Sequence, residues 1–83
     1  MPYIKQEDRM KFDEILDQMP IISVKGELEY CITKIIKKFM EDKEANYCNL
    51  HDAVYGTVHA GHEFERNHLD KREDFAKEKN GNV

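Results

Sequence analysis

Apolar residues return every third or fourth position along three stretches of this chain, the spacing that gathers side chains on one side of an α-helix. The clearest stretch is Gly26–Met40, GELEYCITKIIKKFM. Leu28, Cys31, Ile32, Ile35, Ile36, Phe39 and Met40 form one stripe there, and Lys34, Lys37 and Lys38 fall between its members. It predicts a helix over about 26–42, with Gly26 and Glu27 as N-cap and first turn. An earlier stretch, about 7–19, carries Met10 or Phe12, Ile15, Leu16 and Met19, and Pro20 stops it. Between the two, the apolar and β-branched run Ile21–Lys25 is expected to lie extended against the core. After a polar connection, Glu41–Cys48, a third stripe of Leu50, Ala53, Val54, Thr57, Val58, Gly61 and Phe64 predicts a helix over about 49–69 capped by Asn49. The remainder, 70–83, is dense in charge and closes on Asn80-Gly81, a turn or helix-stop signal. The expectation is an all-α fold: one domain over 1–83, a small three-helix unit with an irregular or helical charged C-terminal tail.

The third stripe has an unusual middle. Gly56, Ala60 and Gly61, with Thr57 beside them, set small side chains a turn apart, although a glycine costs about 1 kcal/mol relative to alanine inside a helix. Such a cost is offset where another helix, a symmetry mate or a flat ligand approaches closely. Size points the same way. A chain of 83 residues buries a smaller share of its surface than larger domains do, and two cysteines, Cys31 and Cys48, make no disulfide framework. Homo-oligomerisation, for example as a tetramer, is therefore expected. Both cysteines read as reduced, which suits a cytosolic setting. No apolar run approaches the roughly 18 residues of a membrane span, and MPYIKQEDR has no signal-peptide core, so a cytoplasmic protein without a membrane partner is expected.

Charge narrows the partners. With 13 basic and 17 acidic residues and a net charge of −4, the chain lacks the basic balance of a duplex nucleic-acid binder. Glu7, Asp8, Asp13, Glu14 and Asp17 make the first segment acidic, whereas Lys34, Lys37 and Lys38 close the second, where they complement a helix dipole or offer an anion patch. His51, His59, His62 and His68 share the third segment. The His59–His62 pair beside Glu63 has a spacing compatible with two metal ligands, but the His-Glu-x-x-His order and paired Cys-x-x-Cys motifs are absent. Nucleophile elbows, phosphate loops and dinucleotide fingerprints are absent too. An enzyme is not expected, and neither a metal nor another cofactor is called for. What remains is binding. Tyr3, Tyr30, Tyr47 and Tyr55 offer flat faces, and Arg9, Arg66 and the lysines offer positive charge, a combination suited to stacked bases and phosphates.

Three blocks in order carry a family resemblance: Pro2-Tyr3-Ile4 with Glu7-Asp8-Arg9, then Gly26-Glu27-Leu28-x-Tyr30-x-Ile32-Thr33-Lys34, and the closing Asn80-Gly81-x-Val83. In these the chain resembles a family of short proteins found widely in tailed-phage genomes, a domain of unknown function. Small helical phage proteins of this kind include the anti-CBASS sponges, which oligomerise and sequester cyclic dinucleotide signals without cleaving them. The resemblance implies a phage immune-evasion protein of the host cytoplasm that holds a cyclic dinucleotide between subunits, with Tyr3, Arg9, Tyr30, Lys34, Tyr55 and Arg66 as its contacts. The alternative expectation is a small helical interaction module that inhibits or caps a host or phage protein.

Overall fold

The computed structural model describes residues 4–80, so what rests on Tyr3 and on 81–83 lies outside it. Among the described residues all regular structure is helical: α1 (Gln6–Asp17), α2 (Lys25–Met40), α3 (Tyr47–Phe64), a π-helical turn (Glu65–Leu69) and α4 (Asp70–Asn80). Phe64, Glu65 and Asp70 all hold right-handed helical dihedrals, so the third helical stretch passes through the π turn without a break. The fold is all-α with three helical stretches, and the charged tail is helical through Asn80.

The helix ends differ from those read in the pattern, each for a local reason. α1 stops at Asp17 rather than Met19. The Gln18 and Met19 N–H groups turn back to the Ile15 and Leu16 carbonyls at 3.3 and 3.2 Å, and Pro20 disfavours a helical conformation at Met19. α2 starts one residue before Gly26. Its cap is the Glu27 carboxylate, whose Oε1 accepts the Ser23 and Val24 N–H groups at 2.8 and 3.2 Å, the carboxylate half of a capping box. At its other end α2 stops at Met40, short of 42, as Glu41 N–H reaches the Lys38 carbonyl at 3.2 Å. Lys43 closes that end: its Nζ donates to the Phe39 carbonyl at 2.9 Å and sits 3.9 Å from the centre of the Phe39 ring. α3 starts at Tyr47 because Asn46, rather than Asn49, is the N-cap. The Asn46 side chain accepts the Asn49 N–H at 2.9 Å, and the Asn49 amide donates to the Glu44 carbonyl at 3.0 Å.

The chain divides into two compact units, 1–31 and 32–83, with their boundary inside α2. In the first, Arg9, Met19 and Cys31 are half-buried. In the second, Ile32, Ile36 and Met40 form a half-buried four-residue row on α2, and Asn49, Thr57, Val58 and Glu63 are half-buried on α3. Ala53, 7% exposed, is the one buried residue among those described.

The expected packed core is thus not formed by these stripes. Ile32, Ile36 and Met40 run along one edge of the α2 stripe. Leu28, Ile35 and Phe39, which run along its middle, are exposed, as are Phe12, Ile15 and Leu16 on α1 and Leu50, Val54 and Phe64 on α3. Of the Ile21–Lys25 run, Lys25 opens α2 and residues 21–24 are without regular structure, but the run does not lie on a core, since Ile21 is 89% exposed. At Gly56 and Gly61 an added Cβ would meet nothing within 4 Å, so none of the described residues exploits the missing side chains. No helix among the described residues is long and apolar enough to cross a membrane.

Candidate binding surfaces

The turn between α1 and α2 forms a hollow. Met19 and Pro20 follow α1, Ile21 and Ile22 continue without regular structure, and the first two turns of α2 add Gly26, Tyr30 and Cys31. Together they line an apolar groove of about 360 Å³. That volume lies at the small end of ligand pockets. Gly26 opens one wall, because its missing Cβ has no neighbour within 4 Å. Glu27 is the charged group in the lining, and its Oε1 is already engaged by the Ser23 and Val24 backbone. Tyr30, 65% exposed, stands at the groove with its ring largely in solvent. Lys34 lies one turn further along α2 on the same side, exposed, so a flat aromatic face and an ammonium fall in one row.

The other expected contacts fall on other elements. Tyr3 lies outside the described residues. Arg9, half-buried on α1, lines a separate open hollow of about 460 Å³ with Gln6, Glu7, Met10 and Asp13, all from one side of that helix. Tyr55 belongs to α3 and Arg66 to the π turn. Eleven residues of helix separate them, roughly 16 Å along the axis at 1.5 Å per residue. Within the second unit they form no common site.

Tyr55 instead belongs to a row that reading the residues by type had missed. Tyr47, His51, Tyr55 and His59 follow at four-residue intervals along α3. Their ring centres are 5.7, 4.2 and 6.2 Å apart, with the central His51–Tyr55 pair stacked at 25°. The spacing of four in the sequence was the available signal. A second pair, Phe64 and His68, brackets the π turn with centres 4.5 Å apart. Across the same turn Asn67 donates to Glu63 Oε1 at 3.0 Å, and Asp70 N–H reaches back to the Glu65 carbonyl. The Asn67 hydrogen bond, with a smaller contribution from the Arg66 charge, holds the Glu63 carboxyl below its ordinary value. Asp42 is lowered in the same sense by its hydrogen bond to Lys43, at 3.0 Å, and by that lysine's charge.

His59 and His62 gain no third ligand. Among the described residues no three of His, Cys, Asp and Glu converge as a metal would need. Cys48 is exposed and Cys31 half-buried, both as free thiols.

Fold and surface define a small all-helical protein whose prominent features are exposed apolar helix faces, one apolar groove and a ladder of aromatic rings. Over residues 1–83 the chain matches the family model described as "Domain of unknown function (DUF6899)", and it belongs to that family. No curated protein and no solved structure matches it.

Proposed function

We propose that this protein acts by binding rather than by chemistry, as a helical association module whose working form is a homo-oligomer. One observation carries the reading: the apolar stripes of α1, α2 and α3 stay largely in water, with Ala53 alone buried among the described residues. Fully burying a leucine, isoleucine or phenylalanine contributes about 1.5–3 kcal/mol, so a surface that covers several of these side chains supplies what the single chain lacks. The second copy is the partner always present at equal concentration. Light scattering tests the reading: the expected mass is a multiple of 9.9 kDa, and a mass of 9.9 kDa at every concentration removes it.

A second reading is favoured by the Tyr30–Lys34 row beside the apolar groove. In it the oligomer sequesters a cyclic dinucleotide without cleaving it, as a phage-encoded anti-CBASS sponge in the host cytoplasm. Tyrosine faces would take the bases, and lysine or arginine the phosphates. A two-fold assembly matches the pseudo-symmetry of such a ligand. Titration calorimetry against a panel of cyclic dinucleotides is expected to give heat for at least one member, with the nucleotide recovered intact. No heat for any member ends this reading and leaves the first standing.

A further inference from the structure

α3 carries two pairs of metal-ligand residues at four-residue spacing, Cys48 with Asp52 and His59 with Glu63. Four residues along a helix bring side chains to about 5–6 Å, near enough for both to reach one metal ion, as the two histidines of a His-Glu-x-x-His helix do. At 100° per residue all four fall within about 60° of one another, on the side of α3 opposite Leu50 and Val54. Cys48, Asp52 and His59 are exposed and Glu63 is half-buried.

Each pair stops at two ligands. The other pair lies about 16 Å further along the axis, and among the described residues no three ligands converge within one chain. A structural zinc site takes four. The pairs are, however, placed symmetrically: Cys48 and Glu63 are equally far from the midpoint between Tyr55 and Gly56, and so are Asp52 and His59. A second α3 running antiparallel about a two-fold axis at that midpoint sets Cys48 and Asp52 of one copy beside His59 and Glu63 of the other. An added Cβ at Gly56 would meet nothing within 4 Å, which leaves room there for a second backbone. One ligand already has its outer partner, since Asn67 donates to Glu63 Oε1 at 3.0 Å, the kind of hydrogen bond that orients ligating carboxylates. His59, 6.2 Å from Tyr55 and tilted by 53°, is the most loosely stacked ring of the ladder.

We propose that two copies bind zinc between antiparallel α3 helices, at two equivalent sites, each made of Cys48 and Asp52 from one copy and His59 and Glu63 from the other. Thiolate, imidazole and carboxylates in a set of four suit the tetrahedral preference of zinc, and the Cys48 thiol gives its proton to solvent as the metal binds. The inference goes beyond the association reading, which the apolar stripes carry, and adds a seam that closes only with metal.

The test uses the full chain, stripped of metal and kept reduced, with and without added zinc. Light scattering gives the mass, and elemental analysis after desalting counts the bound metal. One zinc per chain and a doubling of the metal-free mass are expected. C48A/D52N and H59A/E63Q each remove half of both sites. Losing even an outer partner weakens metal binding roughly 10–100-fold, so each variant alone is expected to bind zinc more than about a hundredfold more weakly and to keep its metal-free mass. Their equimolar mixture rebuilds one complete site in each mixed pair, and is expected to hold one zinc per two chains at the doubled mass. Helical circular dichroism of each variant verifies that it still folds. Zinc retained by either variant, zinc bound by wild type without a change in mass, or a mixture no better than its components overturns the shared site. A wild type that keeps no zinc overturns it as well, and its metal-free mass, a multiple of 9.9 kDa or 9.9 kDa alone, then decides the association reading separately.

Discussion

Asn46 sets the start of α3 by accepting the Asn49 N–H, one of four donors that a helix leaves without a partner in its first turn. Asn46→Ala removes that acceptor, and the expected cost is about 1 kcal/mol of helix stability. It is read as a lower thermal midpoint with faster amide exchange at the start of α3, and an unchanged exchange pattern would mean that Asn49 has taken over the cap. The π turn offers a test of a different kind. Glu63 is held below its ordinary pKa first by the Asn67 amide, so what that bond contributes is present above the unfolded-state value and is lost as pH falls through the folded one. In Asn67→Ala the midpoint of Glu63, followed by carboxyl-carbon NMR, is expected to move up towards an ordinary glutamate. A midpoint that stays put would assign the depression to another neighbour. Asp42 follows the same sign through Lys43, and its lowered value serves as an internal control that Asn67→Ala leaves alone.

At the scale of elements, the glycines of α3 invite the next test. None of the described residues would meet a methyl group at Gly56 or Gly61, so Gly56→Ala and Gly61→Ala are each expected to stabilise the helix by about 1 kcal/mol. An unchanged mass in solution would mean that no partner's backbone packs against these glycines. Weaker association would instead place a partner's backbone against α3. The elements themselves differ in how far the sequence betrays them. The α2 stripe has seven members, and its pattern located the helix to within a residue at the start and two at the end. The start of α3 was harder. Asn46 and Asn49 are both competent caps, and Tyr47 and Cys48 continue a polar connection as readily as they open a helix. The π turn left no trace, since Glu65–Leu69 contains nothing that α-helix disfavours strongly. Its hydrogen bond from Asn67 to Glu63 joins residues that are neighbours in an ordinary helix too. The Tyr30–Lys34 row follows from helical spacing alone. The joining of Arg9, Tyr55 and Arg66 to it would have required tertiary contacts, which periodicity within one helix does not encode.

Few side chains are buried among the described residues, and on the association reading this ties stability to concentration. Ordering each residue's backbone opposes folding by roughly 1–2 kcal/mol, a term that burial must offset. Among the described residues one is buried, the ion pairs Lys25–Glu29, Lys38–Glu41 and Lys43–Asp42 lie at the surface within 4.0 Å, and such surface pairs contribute about 0–1 kcal/mol each. Helix caps and i,i+4 ring contacts add local stability, but they act within single helices and do not hold one helix to another. If copies bury the exposed stripes against each other, folding and association are linked, and the folded state gains with every increase in total chain. The thermal midpoint followed by circular dichroism is therefore expected to rise with protein concentration. A midpoint independent of concentration across a hundredfold dilution would mean that the single chain stabilises itself, and the apolar faces of α1 and α2 would then need a different partner.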